Sequence, residues 1–386
     1  MNFFGGYSRS SAITSGTWLL LLVPALACFA GCGSDGSSAL GGKICRGDSC
    51  LTLQSLSSKL QSALDGKCDK YAFVLYHGLA HVSHASGKKR TATDPPEQDF
   101  TEDHRYNPAS VTKTITAVAL LQLLAKRGVS IEDKIWHFLP PDWNVDSSFK
   151  QINFRQVLSH HTGIVHDVWA ADYGAVKTVI ENGITLSDTA NRVYMNVNYS
   201  ICRILIAYLD GYGPDSAADQ SQGTSQRFIR CLQRNIFDRI NIANVSFKPA
   251  TYAPTLFYPW PEGAAHGTDM GDWTLSGGSA GVQLSTNELA TFLVQLRLST
   301  ILLSDSMKTL MDKFSLGWDL PLILNDGVQV QLKGGLLGDS TAGHARLSTG
   351  ILDFDNGLQM TVVINGWPDA ISLPLDAYTK AWVRNP

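Results

Sequence analysis

The sequence Asn107-Pro-Ala-Ser-Val-Thr-Lys113 opens a long apolar segment and places Ser110 three residues before Lys113. From Val111 to Lys126 the chain is apolar on nearly every side, which predicts a buried central helix that ends at Gly128. Residues three apart lie on one face of a helix, so the lysine amine can reach the serine hydroxyl. The serine also lies at the positive end of the helix dipole, where negative charge is stabilised.

A serine hydroxyl is a poor nucleophile at neutral pH and needs an adjacent base. The pair alone also fits an ordinary buried helix with a capping serine and a surface lysine. Two further elements favour catalysis. The first is Tyr194-Met195-Asn196, which precedes an apolar run from Ile201 to Leu209. The second is Lys333-Gly334-Gly335, which follows the alternating strand Val328 to Leu332.

The three elements occur in the order Ser-x-x-Lys, Tyr-x-Asn and Lys-x-Gly. In this order the chain resembles the serine β-lactamase and penicillin-binding-protein superfamily, and a tyrosine in the middle element is typical of its class C β-lactamase-like branch. Three flanking segments extend the resemblance, namely Val157–Ile164, Gly277–Gly281 and Phe314–Trp318. The similar region runs from about residue 55 to the C-terminus.

The resemblance implies an α/β (α+β) fold of the β-lactamase/transpeptidase type, with a central antiparallel sheet flanked by helices and an inserted helical lobe. We expect the hydrolase domain over residues 51–386, with the lobe at about 110–265 and the active site between lobe and sheet. Without the resemblance, the order of elements indicates only α+β. Local patterns predict a helix from Leu53 to Leu64, a buried strand from Tyr71 to Tyr76, a capping box at Ser285–Glu288, and hairpin turns at Asn325–Gly327 and Asn356–Gly357.

The resemblance implies acyl transfer through a covalent ester on Ser110. Lys113 can act as the base only if its pKa falls, through burial or a nearby cation. If Lys113 stays charged, it instead lowers the pKa of Ser110 and of Tyr194. Tyr194 is the favoured base by resemblance, and Lys113 and Lys333 are the cations that would help it ionise. The sequence leaves the division of proton transfer between Lys113 and Tyr194 open.

The same resemblance assigns the substrate contacts. The Asn196 amide would hold a substrate carbonyl group. The backbone N–H groups of Ser110 and Leu336, the residue after Gly335, would form the oxyanion hole. Lys333 would attract a substrate carboxylate.

Gly334 departs from the family pattern, because β-lactamases and penicillin-binding proteins usually carry a threonine or serine there. That hydroxyl helps to hold a carboxylate, so its absence favours an esterase or peptidase over an antibiotic hydrolase. Esters, D-amino acid peptides or amides, and β-lactams all remain open as substrates. The alternative is a non-catalytic cell-envelope binding protein on the same scaffold.

The N-terminus predicts export. Trp18 to Ala30 is an apolar run of 13 residues, too short to span a bilayer and typical of a signal-peptide core. Residues 1–31 would form a lipoprotein-type signal peptide with Cys32 as the lipidated residue, Cys28 being the weaker candidate and plain secretion the alternative. Residues 32–50 would form a flexible tether. We therefore expect a lipoprotein anchored to a membrane face in the bacterial cell envelope.

Seven cysteines fit an oxidising compartment, and five remain after Cys28 and Cys32 are set aside. In the resembled fold the helices that carry Cys202 and Cys231 are neighbours, which implies a disulfide between those two residues. Cys45 would pair with Cys50 or Cys68, and buried reduced thiols are the alternative. These predictions place Cys45, Cys50, Cys68, Cys202 and Cys231 in the mature chain.

Composition excludes several functional classes. The 386 residues carry a net charge of −3 and no long basic run, so we expect no nucleic-acid partner. No metal or other cofactor is predicted, because no cysteine pattern has zinc spacing and His77, His81 and His84 do not share one strand face. His160 and His161 fall in a family loop and are interpreted as structural. The expected partner is a small-molecule or peptide substrate, and the expected chain is a monomer.

Overall fold

An antiparallel sheet of six strands forms the centre of the fold. The computed structural model describes residues 42–65, 67–68, 70–213, 219–261, 263, 265–338, 346–366 and 370–384. Along the chain its elements are β1 (Lys43–Arg46), β2 (Ser49–Thr52), α1 (Leu53–Leu64), β3 (Lys70–His77), β4 (Ala80–Ser86), β5 (Lys88–Arg90), β6 (Gln98–Asp99), α2 (Thr112–Arg127), α3 (Phe154–Leu158), α4 (Tyr173–Asn182), α5 (Val197–Leu209), α6 (Gln220–Leu232), α7 (Thr286–Leu298), α8 (Asp305–Lys313), β7 (Leu322–Ile323), β8 (Gln329–Leu337), β9 (Leu347–Phe354), β10 (Leu358–Asn365), α9 (Ser372–Lys380) and β11 (Val383–Arg384).

The sheet has the strand order β4-β3-β10-β9-β8-β7, and each neighbouring pair is antiparallel. The predicted turns at Gly327 and Gly357 join β7 to β8 and β9 to β10, and both glycines have a positive φ. The turn at Gly78 likewise joins β3 to β4. The predicted strands and hairpins are therefore confirmed.

Helices cover both faces of the sheet. On one face α1 and α9 pack against the sheet, and Leu56 of α1, Tyr378 of α9 and Val330 of β8 belong to one buried cluster. The other face packs against α7 and the helical lobe, with Ile351 and Val363 in the same buried cluster as α2 and α5. Every regular element described between residues 110 and 265 is a helix. The expected α+β architecture, with a central antiparallel sheet flanked by helices, is confirmed.

Helix α2 begins close to where the sequence predicts it. It is preceded by a 3-10 turn, Ala109–Val111, that carries Ser110, and it ends at Gly128 in the left-handed conformation with φ 65°. Helix α1 has the predicted bounds, and α7 starts with the predicted capping box at Ser285. Burial along α2 extends all round the helix as far as Leu124, because the sheet and lobe enclose it.

The prediction of a tether over residues 32–50 is wrong for its second half. Strands β1 and β2 form a hairpin whose Ile44 and Leu51 side chains are buried in the same cluster as α1 and α9. Strand β2 also pairs with β11. A disulfide joins Cys45 to Cys50, with the sulfurs 2.06 Å apart, so Cys50 is the partner among the two alternatives. The signal segment 1–31, Cys32 and the tether up to residue 41 lie outside the described residues.

The expected disulfide between Cys202 and Cys231 is also wrong. Helices α5 and α6 do pack together, but both cysteines are unbonded thiols buried in the core. The Cys231 sulfur instead accepts a hydrogen bond from Asn235 Nδ2 at 3.2 Å. Burial raises the pKa of both thiols, that of Cys231 to about 12, which keeps them protonated.

None of the helices in the described ranges is both long and apolar enough to cross a membrane.

Candidate active site

The 3-10 turn that carries Ser110 is tied to the structure on two sides. Asn107 Oδ1 accepts hydrogen bonds from the backbone N–H groups of Ala109 and Gly281, each at 3.0 Å. The Pro108 carbonyl accepts from Thr349 Oγ1 on β9 at 2.9 Å. Ala109 has a φ of 52°, a strained value for a residue with a side chain. These bonds hold the serine at the entrance of α2 in a fixed orientation.

Lys113 lies one turn into the core from Ser110. Its Nζ is 3.0 Å from Ser110 Oγ, 2.8 Å from Asn196 Oδ1 and 2.9 Å from the Ser279 carbonyl oxygen. The side chain is fully buried. Burial lowers the pKa of the Lys113 ammonium well below its usual value, and the nearby Lys333 charge lowers it further.

Asp167 fixes which way the Asn196 amide points. Its carboxylate accepts from Asn196 Nδ2 at 2.8 Å and from the Val197 N–H at 3.0 Å, at the first turn of α5. Because a carboxylate is an acceptor only, the NH₂ group of Asn196 must face it. The Asn196 oxygen therefore faces Lys113.

The partners of Lys113 set the direction of its lone pair. A neutral amine has two N–H donors and one lone pair. Asn196 Oδ1 and the Ser279 carbonyl oxygen can only accept, so they take the two N–H groups. The remaining position faces Ser110 Oγ, where the lone pair can receive the hydroxyl proton. The lowered pKa favours the neutral form of Lys113, and in that form the geometry poises the amine as a base towards Ser110.

Tyr194 contacts the same serine oxygen from the other side. Its hydroxyl donates to Ser110 Oγ at 2.7 Å. Its ring stacks on His160 with the centroids 4.5 Å apart, and the Nζ atoms of Lys113 and Lys333 lie 4.9 and 4.8 Å from its centroid. Burial raises the pKa of Tyr194 above its usual value, although the Ser110 hydrogen bond opposes this. Tyr194 is therefore a neutral hydroxyl donor at neutral pH, which does not favour the phenolate base that the family resemblance suggests.

Lys333 lies inside β8 rather than at the end of a strand, with Ile351 as its register partner on β9. Alternate side chains of a strand point to opposite faces. Val330 and Leu332 belong to the cluster under α1 and α9, while Leu337 belongs to the cluster of the helical lobe. Lys333 shares a face with Leu337, which brings its ammonium to the Tyr194 ring.

Strand β8 also passes very close to the nucleophile turn. A Cβ atom built on Gly335 would lie 2.4 Å from the Pro108 carbonyl oxygen, so this position requires glycine. The Gly334 N–H points to the edge away from β9, because it donates to Asp319 Oδ2 at 2.9 Å. N–H groups two residues apart point to the same edge of a strand. The Leu336 N–H therefore points to the edge away from β9, and Leu336 lines the same cleft as Ser110, as an oxyanion-hole donor must.

The residues named above line one cleft of about 380 Å³. Its lining residues are Ser110, Trp169, Tyr194, Asn196, Asp319, Lys333, Gly334, Gly335, Leu336, Ser348, Thr349, Ala370 and Ile371. Lys113 lies just behind this lining, with its Nζ on Ser110 and Asn196. Every residue that the sequence predicts for the catalytic and substrate-binding set is thus at this cleft.

Sequence reasoning missed six lining residues of the cleft, namely Trp169, Asp319, Ser348, Thr349, Ala370 and Ile371, and it missed Asp167, which is outside the lining. Asp167 orients Asn196, Asp319 pairs with Lys333 at 2.5 Å, and Trp169 forms part of the rim. The signal for Asp319 was present, since it directly follows Trp318 in a segment that resembles the family. Nothing in the spacing of Asp167 or Trp169 points to the cleft.

The histidines have the structural positions that the sequence predicts. His160 is buried, and its Nδ1 accepts from the Met195 N–H at 3.2 Å. His77 ends β3, and His81 and His84 lie on β4, where His81 stacks on Tyr76. Within the described ranges, no three histidine, cysteine, aspartate or glutamate side chains form a group that could hold a metal ion.

Comparison with known proteins gives a consistent result. The beta-lactamase family model matches residues 67–381. The fold is similar to that of a D-stereospecific amidohydrolase from Streptomyces sp. (18% identity, TM-score 0.62, covering 84% of this chain and 98% of that chain). It is also similar to a class C beta lactamase from Rhodobacter sphaeroides (16%, TM-score 0.61, 85% and 98%) and to a D-amino acid amidase from Ochrobactrum anthropi SV3 (15%, TM-score 0.62, 84% and 98%). At these identities, the structures show a shared fold.

Proposed function

The chain belongs to the beta-lactamase family, and on that premise we propose that it is a serine hydrolase that works through an acyl-enzyme on Ser110. The observation that carries this proposal is the Ser110 hydroxyl between two proton carriers. Lys113 Nζ lies 3.0 Å from Ser110 Oγ on one side, and the Tyr194 hydroxyl lies 2.7 Å from it on the other. Such an arrangement allows the serine to lose a proton as it attacks.

In the acylation step, Ser110 Oγ forms a bond to the substrate carbonyl carbon and its proton passes to Lys113. The negative charge that develops on the carbonyl oxygen is stabilised by the N–H groups of Ser110 and Leu336. The carbonyl oxygen then re-forms its double bond as the bond to the leaving group breaks. Tyr194 donates a proton to the leaving group, and the Lys113 ammonium replaces that proton.

In the deacylation step, a water molecule attacks the Ser110 ester. Its proton passes to the same two groups, and the serine oxygen leaves with a proton as the acid product forms. Asn196 takes part in both steps by positioning Lys113, whose amine donates to its side-chain oxygen at 2.8 Å. Asn196 also lines the cleft, where its NH₂ group is shared between Asp167 and a substrate carbonyl oxygen.

The substrate range that we propose is an ester, a D-amino acid amide or peptide, or a β-lactam. Fold relatives include proteins described as a D-amino acid amidase and a class C beta lactamase, which supports this range without choosing within it. Gly334 lacks the hydroxyl that holds a carboxylate in most of the family, which favours the first two classes.

A substrate panel tests the proposal. Wild type should hydrolyse at least one of a neutral aryl ester, a D-amino acid amide and a penicillin, whereas Ser110→Ala should lose activity by about 10³-fold or more. Ser306→Ala, at an exposed position on α8, is the matched control and should behave like wild type. Equal turnover by wild type and Ser110→Ala across the panel would refute the proposal. Turnover above the Ser110→Ala background would eliminate the non-catalytic binding protein.

We further propose that the chain is exported and anchored by a lipid on Cys32. The support is the apolar run from Trp18 to Ala30 and the small residues that precede Cys32. Intact mass spectrometry of the membrane fraction should find a chain that begins at Cys32 and carries acyl groups. Cys32→Ala should release the protein from the membrane, and a wild-type chain that starts elsewhere or is unmodified would contradict the anchor.

A further inference from the structure

Asp319 is an acidic side chain within a cleft whose lysine would otherwise attract anions. It follows Trp318, and its backbone N–H donates to the Leu332 carbonyl of β8 at 2.9 Å. This bond holds the residue beside the strand that carries Lys333. The Asp319 side chain is 30% exposed and lines the cleft that contains Ser110.

The carboxylate of Asp319 forms an ion pair with the ammonium group of Lys333. Asp319 Oδ1 lies 2.5 Å from Lys333 Nζ, and Oδ2 accepts from the Gly334 N–H at 2.9 Å. Arg192 Nη2 is 3.9 Å from the same carboxylate. Lys333 lines the cleft but its side chain is only 2% exposed, and Arg192 is outside the cleft lining. The Asp319 side chain, at 30%, is therefore the more accessible charge for a substrate that enters the cleft.

Gly334 lacks the hydroxyl group that, at this position, could help to hold an anion. A Cβ atom at this position would lie 3.6 Å from Asp319 Oδ2 and 3.6 Å from Ile371 Cγ1, which are ordinary contact distances. Packing therefore leaves room for a side chain, and the absence of a hydroxyl is a property of this chain rather than a steric necessity. The cleft has no hydroxyl at Gly334 to donate to a carboxylate, and it has a carboxylate of its own beside that position.

We propose that Asp319 is a specificity-determining residue that makes the cleft reject substrates with a carboxylate near the scissile bond and accept neutral or ammonium-bearing ones. This inference rests on the proposed hydrolase function. A carboxylate has four lone-pair positions, and Lys333 and Gly334 occupy two, so Asp319 can still accept a hydrogen bond from a substrate ammonium or amide N–H. A substrate carboxylate would lie against a like charge, which costs at least about tenfold in kcat/KM.

The test uses two series of aryl esters in which a carboxylate, a neutral amide or an ammonium group is carried either on the acyl group or on the leaving phenol. For wild type we expect kcat/KM for the ammonium and neutral esters to exceed that for the carboxylate ester by about tenfold or more in at least one series. Asp319→Ala should raise the ratio of carboxylate to neutral ester by about tenfold or more. Added formate should restore the wild-type order, because it can occupy the vacated site beside Lys333.

Two further variants separate charge selection from a structural role. Asp319→Asn keeps the size of the side chain and should also raise the relative rate of the carboxylate ester. Asp99→Asn removes the partner of Lys88 in a pair with a 2.6 Å contact, outside the cleft lining, and should leave the ratio unchanged. A ratio of carboxylate to neutral ester that is the same in wild type, Asp319→Ala and Asp319→Asn would overturn the assignment. A wild-type preference for the carboxylate ester would overturn it without any variant.

The two proposals fail in different ways. If wild type hydrolyses no ester of either series and forms no adduct on Ser110, the hydrolase function fails. If wild type hydrolyses the esters through Ser110 but Asp319 does not affect their charge preference, only the role of Asp319 fails.

Discussion

Asp167→Asn is the substitution that probes most specifically how Lys113 is set up as a base. The wild-type carboxylate accepts two hydrogen bonds, from Asn196 Nδ2 at 2.8 Å and from the Val197 N–H at 3.0 Å. An asparagine at position 167 has one acceptor oxygen, so its NH₂ group must face one of these two donors. The Val197 N–H is fixed in the backbone, so we expect it to keep the oxygen of the new asparagine, whose NH₂ group then faces Asn196 and makes its amide rotate away from Lys113.

The expected loss of stability is small. A side-chain acceptor at a helix N-terminus contributes about 1 kcal/mol, to which the negative charge adds a few tenths. For a domain of this size that is roughly 2 °C in Tm. The expected loss of activity is larger, about 10- to 100-fold in kcat/KM, because Lys113 then loses the acceptor that directs its lone pair at Ser110.

The pH dependence provides a second readout with a definite sign. Acylation needs neutral Lys113, so kcat/KM rises as pH increases through the pKa of this group. The Asp167 charge raises the pKa of Lys113, against the effect of burial. Removing that charge lowers the pKa of Lys113, so the acidic limb of the profile should move to lower pH in Asp167→Asn.

The assay is kcat/KM for a neutral aryl ester across the pH range, with thermal unfolding in parallel. Asp172→Asn is the matched control, since Asp172 caps α4 through the Ala175 N–H at 2.9 Å and is outside the cleft lining. Its asparagine oxygen can keep the single hydrogen bond from Ala175, so this variant loses only the charge at a helix N-terminus, a few tenths of a kcal/mol, and should keep full activity. Unchanged activity in Asp167→Asn, or an acidic limb that moves to higher pH, would refute this account of Lys113.

Three other changes test separate parts of the structure. Gly335→Ala should lower activity strongly and should lower the free energy of unfolding by about 1–3 kcal/mol, because a Cβ atom there would lie 2.4 Å from a backbone oxygen of the nucleophile turn. Gly334→Ala should change the free energy of unfolding little, and denaturant unfolding measures both variants. Equal unfolding free energies for the two variants would contradict this. Tyr194→Phe should slow the hydrolysis of an amide by about 10²-fold or more, and should slow that of an aryl ester much less because a phenolate leaving group needs no proton. Equal losses of kcat for the two substrates would exclude Tyr194 as the proton donor. Cys202 and Cys231 should not react with a maleimide in the folded protein, but should react once the protein is unfolded in the absence of reductant. If they stay unlabelled after unfolding, the two residues form a disulfide and the free thiols are contradicted.

The sequence predicted the scaffold well where short-range patterns decide it. The leucine spacing defined α1 from Leu53 to Leu64, and the Asn-Gly turn before Leu358 defined the β9–β10 hairpin. Such signals depend on residues that are close in the chain, so they survive without knowledge of the tertiary contacts. The order of the three catalytic elements then selected the architecture through the family resemblance.

The errors arose where distant contacts decide. Residues 43–50 have the composition of a linker, but β2 pairs with the distant β11 and Ile44 is buried against helices. The Cys202 and Cys231 helices are neighbours as expected, yet a disulfide also depends on side-chain direction, which the sequence does not encode locally.

In the candidate site, the sequence predicted residue types better than protonation states. The lowered pKa of Lys113 follows from complete burial and from the charge of Lys333, and the acceptors of its amine, Asn196 and Ser279, lie far from it in the chain. The ion pair between Asp319 and Lys333 likewise forms only when the segment that follows α8 in the chain packs against β8. The charge of such a cleft depends on which side chains meet, and no single segment contains that information.

Rapid-quench mass spectrometry of the acyl-enzyme tests the central claim most directly. Wild type is mixed with a slowly hydrolysed aryl ester, quenched in acid and digested. The acyl mass is predicted on the peptide that contains Ser110, and its rate of appearance should rise with pH and level off below the ordinary pKa of lysine. Acyl mass on another residue, or steady turnover with no acylated peptide at any time, would contradict the account.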